Sequence, residues 1–303
     1  MSGVQRNILD ALNWGTRILR ERGVESPRVD AALLLRKALN INQVDIFLKS
    51  NQMLTQNELT SYEYLIKRRL GGEPVHYVLG KREFWSMDLR VTPGVLIPRP
   101  ETELLVEQTL KTFGDRRSDT LRFMEVGTGS GAIAIALAKE LEGCFIVAED
   151  ISPAAILVAE ENAKAQGVSS TIRFVVGDLF SAFKEEKSQF DLIISNPPYI
   201  PSSQIGTLPG EIGEFEPKIA LDGGPDGLGM MRNIVGRAAS LLKDGGWLML
   251  ELGEGQGEVV EDMIRKTGFY TSSRITRDYS GTDRVIRARK GEGAVIPRGV
   301  AYG

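Results

Sequence analysis

The sequence predicts an α/β protein, a doubly wound, Rossmann-like and mostly parallel sheet preceded by a small helical domain. Three observations carry that reading. After Glu101 short apolar runs alternate with helical patterns, a glycine-rich turn follows the first of those runs, and residues 1–73 show helical spacing with little strand character.

Apolar positions recur three and four apart in NILDALNWGTRILRERG and SPRVDAALLLRKALN, the pattern of amphipathic helices. Ser26 followed by Pro27 predicts an N-cap and first turn, and Gly71 with Gly72 ends a third run, TQNELTSYEYLIKRRL. Over 74–100 the period changes. EFWSMDLRVTPGVLIPRP alternates and is broken at Pro93 and Gly94, as in a β-hairpin or an extended connector. Its aromatic residues Tyr77, Phe84 and Trp85 predict an ordered segment, because a flexible tether is rich in Gly and Ser.

Over 101–290 the expected strands are LRFMEVG, CFIVAED, IRFVVGD, FDLIIS and WLMLELG, with helices between them and a further helix over QGEVVEDMIRKTG. Strands so uniformly apolar need cover on both faces, and sheets of that kind bind ligands at the carboxyl ends of their strands. Ser152 with Pro153 opens the helix after the second strand and Gly167 closes it. The tail over 291–303 has no periodic pattern and is expected to be disordered.

Composition narrows the function. The 303 residues are 25% charged and 42% hydrophobic, as in a soluble globular chain. Lys plus Arg number 37 against 40 for Asp plus Glu, so the net charge of -3 gives no general attraction to nucleic acid or acidic membranes. The single Cys144 lies in an apolar run and reads as a small buried hydrophobe, consistent with a reducing cytosol. No secretory leader pattern opens the sequence and no apolar run is long enough to span a bilayer, which predicts a cytoplasmic location. No Cys or His cluster has metal-ligand spacing, so no metal is expected.

EVGTGSGA, Glu125 to Ala132, follows a strand and opens a helix. Its glycines, Gly127, Gly129 and Gly131, with Thr128 and Ser130 between them, allow a sharp turn and a close ligand. Gly127, Gly129 and Ala132 also satisfy the dinucleotide fingerprint, so the loop alone does not choose between NAD and another nucleoside. Glu125 chooses. A carboxylate at the mouth of the loop repels a pyrophosphate and attracts an ammonium, which suits S-adenosylmethionine. Asp150, ending the second strand, is placed to accept both ribose hydroxyls, with its neighbour Glu149 on the opposite face. On the third strand Asp178 is expected to accept from the adenine amino group and Leu179 to cover the ring.

The fourth strand runs into Asn196, Pro197, Pro198 and Tyr199, and Asn196 is expected to touch the cofactor as well as the substrate. Each proline fixes its own φ, extends the residue before it and donates no N–H, which leaves rigid carbonyls where the fold puts its ligands. The Asn196 side-chain oxygen and the Pro197 carbonyl make two adjacent acceptors, and Tyr199 supplies a flat wall. Such a pair matches a planar NH₂ whose lone pair is delocalised. Holding both hydrogens raises electron density on nitrogen and fixes its direction of attack. The chemistry expected is in-line methyl transfer to nitrogen.

The same motifs carry a resemblance. EVGTGSGAIAIALA and SNPPYIP resemble class I S-adenosylmethionine methyltransferases that act on amide or exocyclic nitrogen. GEPVHYVLGKREFWSMDLRV, LIPRPETE, EPKIALDGGPDGL and DYSGTDRVIRARK resemble the protein-glutamine methyltransferases that modify the Gly-Gly-Gln motif of bacterial class 1 peptide chain release factors. The resemblance runs to about Lys290 and implies a seven-stranded sheet, a glutamine amide seated on Asn196, Pro197 and Pro198, and N-terminal helices that help bind the release factor. It implies a protein partner; the charge balance gives no support to nucleic acid or membrane, and a monomer is expected, although the sequence does not fix the oligomeric state. It also suggests that Arg99 and Glu101, with Glu103, close over cofactor or substrate, although the same residues suit a helix N-terminus. One departure stands out. The acid before the glycine loop is usually Asp in that family and is Glu125 here. His76, the only histidine, lies in the connector and is not expected to be catalytic. The alternatives are a DNA or RNA adenine methyltransferase with the same acceptor pair, and a non-catalytic nucleoside-binding scaffold.

Overall fold

A computed structural model describes residues 5–114, 120–181, 183 and 189–293, so the expected tail lies outside the described residues from 294 onward. The chain divides into two compact units, Met1–Lys81 with Pro209–Phe215, and Arg82–Leu208 with Glu216–Gly303.

The first unit is helical: α1 (Ile8–Glu21), α2 (Pro27–Leu39), α3 (Gln43–Leu48), α4 (Gln56–Leu70) and α5 (Val75–Leu79). Side-chain caps set several of the starts. Asn7 accepts from the Asp10 amide, and Asn42 with Asp45 and Thr55 with Glu58 form reciprocal capping boxes. Ser26 stands at the N-cap of α2 with Pro27 after it, but its ψ of 61° is not extended and its hydroxyl makes no capping bond. The short α3 and α5 were not expected. A capping box stabilises the first, and Pro74 opens the second before Gly80 closes it in the left-handed region. Leu12, Leu19, Leu34, Leu35, Leu65 and Ile66 form the centre of this unit, each fully buried side chain contributing roughly 1.5–3 kcal/mol.

The stretch 74–100 is not one connector. Its hairpin, β1 (Lys81–Phe84) and β2 (Met87–Arg90), turns at Trp85 and Ser86 rather than at Pro93 and Gly94. Both turn residues take left-handed φ, 51° and 57°, as a tight two-residue hairpin demands. Contacts from elsewhere hold Trp85 there. Its amide donates to Glu103 at 2.8 Å and its indole N–H to Glu140 at 2.8 Å.

The sheet unit contains α6 (Glu103–Phe113), β3 (Arg122–Val126), α7 (Ala132–Glu140), β4 (Phe145–Asp150), α8 (Pro153–Ala165), β5 (Ile172–Val176) and β6 (Phe190–Ser195). After β6 the chain supplies α9 (Gly210–Gly213) to the helical unit. Glu211 there joins Arg69, which also holds buried Asp30, both ion pairs at 2.7 Å. The chain then completes the sheet unit with α10 (Gly229–Leu241), β7 (Leu242–Glu251), α11 (Gly257–Thr267), β8 (Tyr270–Arg277) and β9 (Asp283–Lys290).

The seven strands run β5-β4-β3-β6-β7-β9-β8. The first five are parallel, and β9 is antiparallel to both its neighbours. Successive strand residues feed opposite faces. Phe123, Ile146, Leu192 and Ile194 pack with α6 and α7, while Met124, Val147, Ile193 and Leu248 pack with α10 and α11. Apolar residues on both faces explain the unbroken hydrophobic runs. The crossovers diverge between β3 and β6, so a crevice opens where β3, β4 and β6 end. Among the described residues no helix is long and apolar enough to cross a membrane.

Candidate active site

The glycine loop occupies that crevice. Gly127, Gly129 and Gly131 take φ of 72°, 56° and 82°, a region closed to most side chains, which is why three glycines alternate here. β4 pins the loop. The amides of Gly127 and Thr128 donate to the Glu149 carbonyl at 2.8 and 3.0 Å, and that of Gly129 donates to Oδ2 of Asp150 at 2.8 Å. Asp150 Oδ1 accepts from Ser152 at 2.9 Å. Burial raises the Asp150 carboxyl above its ordinary range, opposed by these two bonds.

The cleft is lined by Gly127, Gly129, Glu149, Asp150, Asp178, Leu179, Asn196 and Pro198, with Leu96, Ile219 and Met230 among its apolar members. Glu125, Thr128, Ser130, Gly131, Pro197 and Tyr199 do not line it. Glu125 is buried behind the loop, its Oε2 accepting from the Thr128 hydroxyl at 2.7 Å and the Ala134 amide at 3.1 Å. Burial pushes its carboxyl up to about 8 against those two bonds, with Asp150 adding to the rise. Sequence reasoning put this charge at the mouth of the loop; the fold puts it underneath.

Asp178 and Leu179 begin an unusual turn in which Leu179 and Phe180 take φ of 41° and 67°. Glu149 holds it, accepting from the Phe180 amide at 3.1 Å, and burial raises this carboxyl as well. Strand alternation placed Glu149 on the face opposite Asp150, yet both line the cleft, because the bend of the chain after β4 brings them to the same strand end. They differ in what they hold, the 178–180 turn for Glu149 and the glycine loop for Asp150.

At the end of β6 the Ser195 hydroxyl donates to the Val126 carbonyl at 2.7 Å, locking the two strand ends together. The Asn196 Nδ2 donates to the Thr102 hydroxyl at 3.1 Å, and that hydroxyl donates to Oε2 of Glu251 at 2.7 Å. Thr102 and Glu251 are 4% and 1% exposed, so this chain of bonds is sealed from water. Pro197 is buried beside Asn196, and Tyr199 is half-buried against the α10 and α11 side of the core. Burial, then the charge of Glu251, pushes the Tyr199 hydroxyl up to about 12, so it stays protonated at neutral pH. The Tyr199 carbonyl accepts from Gln256 Nε2 at 3.0 Å, and a Cβ on Gly227 would fall 2.4 Å from that carbonyl oxygen.

Arg99 and Glu101 are not brought to the cleft. Arg99 pairs with buried Glu216 at 2.6 Å, and Glu216 also accepts from the Ile97 amide at 3.2 Å. Glu101 is exposed and lines a separate groove of about 640 Å³ with Trp85 and Tyr279. That groove is wider than the cleft, about 130 Å³, but it contains neither the glycine loop nor the strand-end acids, so chemistry selects the cleft. Glu103 sits at the N-terminus of α6, and His76 lies on α5 with Nδ1 3.2 Å from the Lys81 carbonyl. Cys144 is buried, and burial pushes its thiol up to about 12. Sequence reasoning did not single out Thr102, Glu216, Glu251 or Gln256. Only Glu251 leaves a local signal, an acid inside the apolar strand WLMLELG.

Residues 10–80 match the family model described as the PrmC N-terminal domain, and residues 117–280 match a methyltransferase domain. A release factor glutamine methyltransferase of Geobacter sulfurreducens is 42% identical over 284 residues, covering 94% of this chain and 97% of that one. One from Moorella thermoacetica is 40% identical over 282 residues, covering 93% and 98%. Among solved structures the catalytic domain of hMettl16, in complex with a MAT2A 3'UTR hairpin, aligns with a TM-score of 0.56 at 14% identity. It covers 82% of this chain and 88% of that one, a likeness of fold alone. A seven-stranded, mostly parallel sheet with a glycine loop at its switch point and a carboxylate at the next strand's end defines a class I methyltransferase. The chain belongs to the release factor glutamine methyltransferase family.

Proposed function

We propose that the protein methylates the side-chain amide nitrogen of the glutamine in the Gly-Gly-Gln motif of class 1 peptide chain release factors, with S-adenosylmethionine as donor. One observation carries the reading. Asn196 lines a cleft together with Glu149, Asp150 and Asp178 and, among the described residues, with no Lys, Arg or His, and the amino end of its carboxamide is already taken by Thr102, which leaves the oxygen as its acceptor.

The cation-free lining supports S-adenosylmethionine over a dinucleotide, a choice the glycine pattern left open. Three acids in a lining that, among the described residues, includes no cation disfavour a pyrophosphate and suit a ligand bearing ammonium and sulfonium groups. Asp150 retains lone pairs for the ribose hydroxyls beyond those given to Gly129 and Ser152. Asp178 is left to take the adenine amino group with Leu179 over the ring, and the Gly127–Gly129 backbone admits the ligand without a Cβ in the way. Glu125 lies outside the cleft lining, so its part is to hold the loop from beneath through Thr128 and Ala134.

When bound, S-adenosylmethionine supplies an electrophilic methyl group on sulfur. The chain's own part is to hold the glutamine amide. Asn196 Oδ1 and the Pro197 carbonyl each accept one hydrogen of the NH₂, with Pro198 walling the cleft and Tyr199 anchoring the segment against the core. Arg99 serves this arrangement by holding its segment on Glu216, and Glu101 remains exposed to the incoming peptide. The helical unit is assigned to the release factor, and the protein to the cytoplasm as a monomer.

The test is incubation with a release factor and labelled S-adenosylmethionine, followed by mass mapping. The expected result is one added methyl on the Gly-Gly-Gln glutamine. Label elsewhere on the protein, or on nucleic acid instead, overturns the assignment.

A further inference from the structure

We propose that Glu251 and Thr102 are positioning residues that set which end of the Asn196 carboxamide faces the substrate. The inference rests on the reading of Asn196 as an amide acceptor. It concerns what makes it an acceptor at all.

The oxygen and the NH₂ of a carboxamide are nearly the same size, and packing alone does not tell them apart. Only hydrogen bonding does. An ionised carboxylate solely accepts, and a hydroxyl has one hydrogen to give. With Glu251 Oε2 2.7 Å from the Thr102 hydroxyl, that hydrogen goes to Glu251. Thr102 then meets Asn196, 3.1 Å away, with a lone pair, so Asn196 presents its Nδ2 to Thr102 and its Oδ1 to the cleft. The negative end of the relay thus dictates polarity at the positive end. Three residues from three parts of the chain act as one directional device.

Protonation of Glu251 removes the direction. A carboxylic acid can donate to Thr102, whose hydrogen is then free for Asn196 Oδ1; the carboxamide turns over and offers NH₂ to an incoming NH₂. Two donors face each other and the amide is not held. Burial raises the Glu251 carboxyl to about 7, opposed by the Thr102 bond and Arg284, raised by Glu101 and opposed again by Arg99. Tyr199 feels the same charge but remains a neutral hydroxyl. Productive orientation is therefore favoured as pH rises through that range and lost as it falls.

The experiment measures kcat at saturating S-adenosylmethionine and release factor as a function of pH for the full chain and for Glu251→Gln, Thr102→Val and Thr102→Ser. The wild type is expected to show an acid limb with a midpoint near 7. Glu251→Gln, whose side chain both donates and accepts, should lose that limb and roughly 100-fold in kcat, the cost of a misplaced reactant, with cofactor affinity by calorimetry unchanged. Thr102→Val should lose a similar factor, and Thr102→Ser should recover most of it because the hydroxyl returns. A second readout needs no turnover. In protein with heavy-nitrogen-labelled asparagine, the side-chain NH₂ resonance missing from Asn196→Ala should titrate with the wild-type midpoint and not do so in Glu251→Gln. Wild-type kcat and an intact acid limb in Glu251→Gln, or an Asn196 resonance indifferent to pH, overturn the relay. Failure of the wild type to methylate any release factor overturns the proposed function instead, and the resonance titration still judges the relay.

Discussion

The Gly129 amide and the Asp150 carboxylate lie 2.8 Å apart, so the residue expected to hold the ribose also holds the glycine loop. Asp150→Ala therefore has two effects. Affinity for S-adenosylmethionine should fall by roughly tenfold or more, the worth of hydrogen bonds to a charged group. Two amides lose their acceptor, so stability should fall by about 1–3 kcal/mol in a melt of the free protein. Calorimetry that finds cofactor affinity unchanged moves the ribose contact to Glu149.

Asn196→Ala separates binding from chemistry. Asn196 lies at the edge of the cleft and its amino end is spent on Thr102, so cofactor affinity should remain close to wild type. Turnover on a release factor should drop by roughly 100-fold, as expected when a reacting amide loses its orientation. Single-turnover methylation measured beside calorimetry checks both halves, and unchanged turnover refutes the acceptor role.

Glu125 makes the free protein less stable as pH rises. Its carboxyl titrates near 4.5 in the unfolded chain and near 8 in the fold, where burial disfavours the charge. Between those values the folded state binds a proton that the unfolded state has released. Its contribution is full below 4.5, declines through the window and is gone above 8. Glu251 adds a similar decline that ends near 7. Glu125→Gln keeps an oxygen for Thr128 and Ala134, so it should flatten the remaining slope between pH 7 and 8, by at most about 1.4 kcal/mol per pH unit. Denaturant melts across that range check it, and an unaltered slope shows that Glu125 is already ionised in the free protein.

Arg69 is the keystone of the helical unit. It bridges Asp30 and Glu211 and donates to the Glu73 carbonyl at 3.2 Å. Arg69→Met leaves the Asp30 carboxylate buried without a cation, a loss of about 3–5 kcal/mol. The expected kinetic result is a raised KM for the release factor with cofactor affinity intact. Equal effects on both ligands mean that the helices serve folding rather than recognition.

What the sequence determined by itself is local. The alternation of strands and helices follows from periodicities of two and of three to four, and the glycine loop from backbone conformations that only glycine adopts freely. The Asn-Pro-Pro-Tyr stop follows from two fixed φ angles. Each of these is written in adjacent residues. The tertiary structure decided whatever depends on distant partners. Glu125 appeared to stand at the mouth of the loop, yet β3 turns it under α7. The hairpin turns at Trp85 because Glu103 and Glu140 hold it there, against the stronger turn signal of Pro93 and Gly94. The relay that orients Asn196 joins it to Thr102 across 94 positions and Thr102 to Glu251 across 149. Hydrogen bonds over such separations form only after the sheet has brought its strand ends together, so their direction is a property of the fold and not of any motif.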